Sequence, residues 1–364
     1  MNKIAAPTMN RRDAMAGLAG LAAAWPAFAG GGEAPLRGAG ATFPYPVYAR
    51  WAEAYQRAFG VQIDYEPVGS GAGVERLAGG HVDFGASDVP LSPEELQRIG
   101  AMQFPSVIGG VVPVVNLSGV RSGQLRLTGP LLADIYLGKV SKWNDPAITR
   151  LNPDLGLQSS HITVVHRAEA SGTTHLWSDF LARSSTAWRM NVGVGKTLAW
   201  PAGVIEVAAS GNEGVAAAVQ RTRASIGYVE YAYASQHHLS TASLRNHDGQ
   251  FVTADPLSFA AAAVQARWRE EADLQQSLID LPGPQTWPVV SASHIVLRTR
   301  PPHPERTLAL LKFLDWALTQ GQPLAAELGY LPLPDAAAKL VEQAWKTSLR
   351  TASGGSLWPP ALSR

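Results

Sequence analysis

The chain contains no cysteine among its 364 residues. This absence excludes a disulfide framework, a thiolate metal site, a catalytic cysteine and a cysteine that could accept a lipid after export. The sequence also lacks the H-x-x-x-H spacing of a metal-binding helix and the G-x-S-x-G turn of many serine hydrolases. We therefore predict a protein that uses no cofactor and no metal ion.

A strong excess of charge of either sign is missing too. The 30 Lys and Arg residues nearly balance the 29 Asp and Glu residues, so that the formal net charge is +1. Nucleic acids and anionic membranes usually bind a basic face. The composition therefore argues against nucleic acid as a partner. The length allows two domains, since one domain commonly has about 100–200 residues.

Residues 1–29 have the pattern of an export signal. Lys3, Arg11 and Arg12 form a basic start, a weakly apolar stretch follows, and Ala27-Phe28-Ala29 matches an A-x-A cleavage site. The apolar stretch is too short to span a bilayer. We predict cleavage near Ala29 and a periplasmic protein without direct membrane insertion. The adjacent arginines leave both general secretory and twin-arginine export open.

The segment after the signal alternates helix and strand patterns. Residues 47–59 repeat large apolar side chains every four positions and are followed by Gly60, which predicts an amphipathic helix. Residues 61–67 alternate apolar and polar side chains up to a proline, which is typical of a half-buried strand. This rhythm predicts an α/β fold with ligands at the carboxyl ends of the strands.

Two long apolar runs predict the domain organisation. Residues 106–116 and 287–299 would each suit a strand that passes from one domain to another. They divide the chain into a domain I of residues 30–106 and 291–364 and a domain II of residues 107–290. The predicted architecture is two α/β domains joined by two crossover strands, with the ligand cleft between them.

Four short stretches combine glycine with a hydroxyl or a charge where a strand gives way to a loop or helix. They are "GAGATFP" (38–44), "VGSGAG" (68–73), "DFGASD" (83–88) and "HRAEASGTT" (166–174). Each stretch taken singly is typical of a helix N-cap. Together they are also consistent with one anion site, since helix N-termini offer unpaired N–H groups and partial positive charge. In that case Arg167 would add a planar fork of donors.

Two stretches resemble nucleotide-binding motifs but do not match them. "VGVGKT" (192–197) ends like a phosphate-binding P-loop, but Met190 stands where that motif requires glycine. "GSGAG" (69–73) imitates a dinucleotide fingerprint with its third glycine misplaced. We therefore predict no nucleotide site.

Longer stretches resemble a known family. They are "GAGATFPYPVYARWAEAY", "VDFGASDVPLS", "DIYLGKVSKWNDPAI", "RAEASGTTHLW", "GNEGVAAAVQR", "IGYVEYAYA" and "FLDWALTQG". Over the whole length after the signal, the chain resembles the PstS family, the periplasmic phosphate-binding proteins of bacterial ABC phosphate transporters. The resemblance implies a two-lobed periplasmic binding protein, type II-like, that closes on one phosphate ion by a hinge motion.

The resemblance also implies a set of phosphate-binding residues. They are Thr42, Phe43 through its backbone N–H, Ser70, Asp88, Arg167, Ser171, Gly172 and Thr173. Arg167 would supply the one formal positive charge, and Glu169 would pair with it from behind. Asp88 would accept a hydrogen bond from the P–OH group that phosphate keeps near neutral pH and sulfate lacks. Such a hydrogen bond can reject the other anion by roughly 10⁴–10⁵, whereas arsenate carries the same proton.

Two local departures from the family pattern concern the site. Glu169-Ala170 stands where the family usually has Asp-Gly, and Gly71-Ala72 replaces a common Ser-Gly pair. The first change lengthens the acid and removes freedom from the turn, and the second removes a hydroxyl. Both changes are expected to affect affinity more than the identity of the ligand.

The function that the resemblance implies is non-catalytic. The protein would bind inorganic phosphate with high affinity as a monomer and deliver it to the membrane permease of an ABC transporter with its cytoplasmic ATPase. Three alternatives stay open at this point. Phosphate binding could serve sensing, secretion or adhesion, or the ligand could be arsenate, molybdate or sulfate. A secreted phosphatase is the third, although it would need an activated nucleophile or metal ligands.

Overall fold

The computed structural model describes residues 34–265 and 275–358. The predicted export signal, residues 1–29, lies outside this range. The strands are β1 (Leu36–Gly40), β2 (Ile63–Glu66), β3 (Phe84–Ser87), β4 (Ala101–Val115), β5 (Arg126–Leu127), β6 (Thr163–Arg167), β7 (Ile205–Ala209), β8 (Ser225–Glu230), β9 (Ser240–Thr241), β10 (Ser243–Arg245), β11 (Phe251–Val252), β12 (Leu278–Ile279) and β13 (Val289–Arg298).

Helices alternate with these strands along the chain. They are α1 (Tyr45–Phe59), α2 (Ser70–Ala78), α3 (Pro93–Ile99), α4 (Gly129–Tyr136), α5 (Pro146–Thr149), α6 (Gly172–Ser184), α7 (Thr186–Asn191), α8 (Gly211–Arg221), α9 (Tyr231–Gln236), α10 (Pro256–Ala263), α11 (Pro304–Thr319), α12 (Gln322–Glu327) and α13 (Asp335–Ser348). Within the described ranges, none of the helices combines the length and apolar character that a bilayer crossing requires.

Most strands belong to one large mixed sheet. Its main path runs β2-β1-β3-β13-β4-β8-β6-β7, with β12 paired to β13 and β9 paired to β4. The pairs among β1, β2 and β3 are parallel, as are the pairs among β6, β7 and β8. A small second sheet has the order β11-β10-β5. The α/β fold predicted from the alternating patterns is therefore confirmed.

Strand β4 joins the two parallel groups. It is buried along its whole length, and it pairs with β13 up to Gly110 and with β8 from Val111 onward. Strand β13 lies between β4 and β3. The two apolar runs that predicted crossover strands thus form β4 and β13, and the two-lobed architecture with two crossover strands is confirmed. The exact domain boundaries at residues 106 and 291 stay a prediction.

Helix α1 matches its predicted position. It buries Tyr48, Trp51 and Tyr55 and stops at Gly60, whose φ of 74° lies in the left-handed region that favours glycine. The apolar stripe is less buried at its end than its spacing predicts, because the Phe59 side chain is 55% exposed. Phe59 lies on the last turn, where its ring packs against Tyr55 and Trp316 but stays partly in contact with solvent.

Candidate anion-binding site

The four glycine-containing stretches all lie at the carboxyl ends of strands. The first follows β1, the second leads from β2 into α2, the third ends β3, and the fourth connects β6 to α6. Because the strands of each group are parallel, their carboxyl ends meet at the same edge. The sheet therefore brings together stretches that are far apart in the chain.

Helix α6 begins with a side-chain cap. Ser171 is the N-cap residue, and its Oγ accepts a hydrogen bond from the Thr174 N–H at 3.2 Å. The backbone N–H of Ser171 donates to the carbonyl of Lys196 at 2.9 Å. The N–H groups of the first turn have no partner within a helix, and they concentrate partial positive charge there. Gly172 and Thr173 lie in this turn and are buried.

Arg167 lies at the end of β6 with a buried side chain. Its Nε–H donates to Oε1 of Glu169 at 2.9 Å, and its Nη2 donates to the same oxygen. Its Nη1 donates to Oγ1 of Thr173 at 3.4 Å. Glu169 Oε1 also accepts the Gly211 N–H at 3.0 Å. One carboxylate oxygen thus connects the guanidinium to the first residue of α8.

Asp88 faces the same helix from the other parallel group. Its side chain is buried, and Ser293 Oγ on β13 donates to its Oδ1 at 2.9 Å. Its backbone N–H donates to Ser70 Oγ at 3.4 Å. A Cβ atom built on Gly172 would lie 2.6 Å from both Asp88 Oδ2 and Ser70 Oγ. The first turn of α6 therefore touches Asp88 and the first residue of α2.

Burial raises the pKa of Asp88 to about 7. The hydrogen bond from Ser293 and the charges of Arg167 and Lys196 lower it, but they offset only part of the desolvation cost of the charged form. A carboxyl group with this pKa changes its protonation state close to neutral pH. It can therefore act as a hydrogen-bond acceptor above that pH and as a donor below it.

The loop after β1 is fastened from several sides. Thr42 Oγ1 accepts hydrogen bonds from the backbone N–H and the Nδ2 of Asn212, at 3.2 and 2.8 Å. The carbonyl of Thr42 accepts from the Tyr233 hydroxyl, and the carbonyl of Phe43 accepts from the Tyr330 hydroxyl, both at 2.6 Å. Asn212 Nδ2 also lies 3.2 Å from Thr173 Oγ1. This asparagine therefore connects the loop to helix α6.

All the residues assigned to the site from the sequence lie in one cluster. The buried members are Thr42, Phe43, Ser70, Asp88, Arg167, Ser171, Gly172 and Thr173. Glu169, which pairs with Arg167, is partly exposed. A cavity of about 560 Å³ lies beside Thr42, Glu169 and Gly211 on the outside of this cluster. The cluster combines N–H and hydroxyl donors, a guanidinium and a carboxyl group of raised pKa, which suits an oxyanion that carries a proton.

The structure adds residues that were not assigned from the sequence. Asn212 and Ser293 hold Thr42 and Asp88, and Lys196 contributes a second positive charge near Asp88. Lys196 lies at the start of α6, where its carbonyl accepts the Ser171 N–H and its charge acts on Asp88; that Arg167 supplies the one formal positive charge to the ligand stays a prediction. Asn212 lies in the quoted "GNEG" stretch, so its position was available as a signal. Ser293 lies in a buried strand, and nothing in the sequence around it indicated a role in the site.

Lys196 belongs to the "VGVGKT" stretch, which had suggested a P-loop only superficially. The stretch lies between α7 and β7, and no helix follows it directly. A P-loop requires such a helix to hold phosphates at its N-terminus. Here the loop packs on α6 instead, where the Gly195 N–H donates to Ser178 Oγ at 3.2 Å.

Comparison with known proteins identifies the family of the chain. A family model described as PBP superfamily domain matches residues 26–320. The phosphate-binding protein PstS of Pasteurella multocida (strain Pm70) is 46% identical over 323 residues, covering 89% of this chain and 93% of the relative. The PstS protein of Haemophilus influenzae (strain ATCC 51907 / DSM 11121 / KW20 / Rd) is 46% identical over 315 residues, covering 86% of this chain and 93% of the relative.

A solved structure shares the fold. It is a high-affinity periplasmic phosphate-binding protein (PfluDING) bound with phosphate, with a TM-score of 0.71, 20% identity, and coverage of 90% of this chain and 100% of the other. At this identity the likeness concerns the fold alone. The extent and identity of the sequence matches carry the classification: the chain belongs to the PstS family of phosphate-binding proteins, within the PBP superfamily.

Proposed function

We propose that the chain binds one inorganic phosphate ion between the first turn of α6 and the loops after β1 and β3, without catalysis. The observation that carries this proposal is the contact of Gly172 with Asp88. This contact places a helix N-terminus opposite a buried carboxyl group. The helix N-terminus favours an anion, whereas the carboxyl group repels an anion unless a proton lies between them. Phosphate near neutral pH satisfies both groups.

The donors of the proposed site come from both parallel groups of the sheet. On one side they are the Thr42 hydroxyl, the Phe43 N–H and the Ser70 hydroxyl. On the other side they are the Arg167 guanidinium, the Ser171 and Thr173 hydroxyls, and the N–H groups of Gly172 and Thr173. Each side supplies part of the ligand shell, so phosphate would favour the closed arrangement by binding it better than an open one.

Asp88 is the residue that would distinguish phosphate from sulfate. Ionised Asp88 accepts a hydrogen bond from a P–OH group and meets only oxygen lone pairs on sulfate. Arg167 is already paired with Glu169, which limits the net charge available to a fully ionised anion. Phosphate is therefore favoured over sulfate and molybdate, whereas arsenate, which carries the same proton, is discriminated poorly. Both relatives are named as binding proteins, and the phosphatase alternative has no support.

The transport role is part of the same proposal. The protein would act in the periplasm as a monomer and deliver phosphate to the permease of an ABC transporter with its ATPase. The names of the two PstS relatives support this role. Deleting the gene should lower phosphate uptake at micromolar phosphate. Unchanged uptake, with binding intact, would favour sensing, secretion or adhesion instead.

Titration calorimetry tests the ligand directly. The mature protein is stripped of bound ions and titrated with phosphate, arsenate, sulfate and molybdate at pH 8. We expect tight binding of phosphate and arsenate and far weaker binding of the other two. Arg167→Ala should weaken phosphate binding by two or more orders of magnitude, since it leaves buried partners without their charged donor. Arg57→Ala, at an exposed position on α1, is the matched control. Equal affinities of Arg167→Ala and the unmodified protein would place the site elsewhere.

A further inference from the structure

Glu230 is a fully buried acid at the end of β8, with 0% of its surface exposed. It is paired with Val111 at the point where β4 passes from β13 to β8. Its Oε2 accepts the Ala232 N–H at 2.8 Å, which caps α9. Its Oε1 has no hydrogen-bond partner. Capping the short helix α9 does not by itself require a buried glutamate at this position, because a smaller polar side chain could accept the same N–H.

The Oε2 of Glu230 also lies 2.8 Å from the hydroxyl of Tyr330. That hydroxyl lies 2.6 Å from the carbonyl of Phe43, in the loop after β1. Tyr330 is itself fastened to β4, because the N–H of Leu331, the next residue, donates to the Ile108 carbonyl at 2.8 Å. A chain of contacts therefore leads from the crossover strand through Glu230 and Tyr330 to Phe43.

The number of hydrogen atoms shared among Glu230, Tyr330 and the Phe43 carbonyl determines which hydrogen bonds can form. A tyrosine hydroxyl has one hydrogen, and it cannot donate to the Phe43 carbonyl and to an ionised Glu230 at the same time. With Glu230 ionised, one of the two short contacts would join two lone pairs. With Glu230 protonated, its O–H donates to the Tyr330 oxygen, and the Tyr330 hydrogen remains for Phe43. Both distances then correspond to normal hydrogen bonds.

We propose that Glu230 is a positioning residue that stays protonated at neutral pH, with or without phosphate, and, through Tyr330, holds the Phe43 loop where its N–H can bind phosphate. This inference rests on the proposed assignment of Phe43 to the phosphate site. Protonation also explains the unpartnered Oε1, since the carbonyl oxygen of a neutral acid loses much less by burial than a charged one. Neither Glu230 nor Tyr330 contacts the proposed ligand in this scheme.

The surroundings of Glu230 favour the neutral form. Burial raises its pKa well above the usual range of a glutamate, while the hydrogen bonds with Tyr330 and the Ala232 N–H lower it. The ionised form of Asp88 raises it further. The titratable neighbours on the adjoining elements are Tyr231, Tyr233 and Tyr330, which are neutral at neutral pH. Ionisation at alkaline pH would leave Tyr330 with two competing acceptors and loosen Phe43.

Two measurements test this inference. The first is infrared spectroscopy of the unmodified protein and of Glu230→Gln at neutral pH, in the absence of phosphate. The difference spectrum should contain the C=O band of a protonated carboxyl group. An ionised carboxylate band in its place would overturn the inference whether or not the protein binds phosphate, so this result is independent of the proposed function.

The second is phosphate affinity against pH for Glu230→Gln and Tyr330→Phe. In Glu230→Gln the amide nitrogen can still donate to the Tyr330 oxygen, but it cannot also accept the Ala232 N–H as Oε2 does, so Glu230→Gln should bind phosphate up to about tenfold more weakly than the unmodified protein at neutral pH. As the pH rises, Glu230→Gln should bind phosphate progressively better relative to the unmodified protein, because glutamine cannot ionise. The ratio of the two affinities is compared because the titrations of phosphate and Asp88 affect both proteins and cancel in it. A ratio that is constant with pH contradicts the inference.

Tyr330→Phe removes the donor to Phe43 and should weaken phosphate binding about tenfold. Tyr55→Phe is the matched control, because Tyr55 is a buried tyrosine in α1 that packs against Phe313 and Trp316. It should bind as the unmodified protein does. Equal affinities of Tyr330→Phe and Tyr55→Phe would exclude a positioning role for Tyr330. If the unmodified protein itself fails to bind phosphate, the proposed function is wrong, and the infrared result still decides the state of Glu230.

Discussion

Gly172 and Asp88 lie in van der Waals contact across the two parallel groups of the sheet, and a Cβ atom on Gly172 would lie 2.6 Å from Asp88 Oδ2. The same atom would lie 2.6 Å from Ser70 Oγ. Such distances are shorter than any normal contact, so the glycine allows the helix N-terminus to approach the carboxyl group. The proposed site exists in its closed form only because this position has no side chain.

Gly172→Ala should therefore weaken phosphate binding by about ten- to a hundredfold. The added methyl group pushes α6 away from Asp88 and Ser70, and overpacking of this kind costs about 1–3 kcal/mol. Calorimetry with phosphate measures the effect. Gly156→Ala is the control, because nothing lies within 4 Å of a Cβ atom at that position. Unchanged affinity in Gly172→Ala would mean that phosphate does not bind in the closed arrangement described above.

Selectivity between phosphate and sulfate should depend on pH. The pKa of Asp88 is about 7, so the group is ionised above this pH and rejects sulfate there. Below pH 7 the protonated carboxyl can donate a hydrogen bond, and we expect sulfate to bind with increasing affinity as the pH falls. Competition of sulfate with phosphate between pH 5 and 9 measures this change. Asp88→Asn, which always offers a donor, should bind sulfate equally well across the range.

The same residue should lower the stability of the ligand-free protein at neutral and alkaline pH. Because burial raises the folded-state pKa of Asp88 to about 7, the stabilising effect of its proton is full below the unfolded pKa and is lost as the pH rises through 7. Asp88→Asn should therefore raise the thermal midpoint at pH 8 by a few degrees while it weakens phosphate binding. Ser293→Ala, which removes a hydrogen bond to the ionised form, should lower the midpoint. A lower midpoint in Asp88→Asn would contradict the inferred cost of burying the charge.

Lys196 should accelerate the association of phosphate. Its charge acts on Asp88 from the start of α6, and a cation at this position attracts an incoming anion. Lys196→Gln should reduce the association rate several-fold at low salt and hardly at all near 1 M salt, where screening removes the attraction. Stopped-flow kinetics at several salt concentrations provide the measurement. The exposed Lys312 on α11 offers Lys312→Gln as a control, and an equal effect in both variants would exclude a local role.

The features that could be predicted from the sequence depend on residues a few positions apart. The spacing of Trp51 and Tyr55 and the stop at Gly60 define α1, and Ser171 caps α6 three residues before Thr174. The apolar runs of β4 and β13 are visible because both strands are buried on each face. The exposure of Phe59 was not predicted, because periodicity identifies the apolar face of a helix but not where the elements that pack on that face end.

The sequence by itself thus determined the α/β alternation, helix α1, the two long buried strands and the stretches that contain the proposed phosphate-binding residues. Only the tertiary structure decided the hydrogen-bond partners, the pKa values and the protonation states of these groups. Ser293 donates to Asp88 across 205 residues, and Asn212 donates to Thr42 across 170 residues. Helix caps and periodicity are local, whereas the pKa of Asp88, the second positive charge at Lys196 and the proton that we infer on Glu230 depend on burial and on distant partners. These properties arise when the chain closes around them.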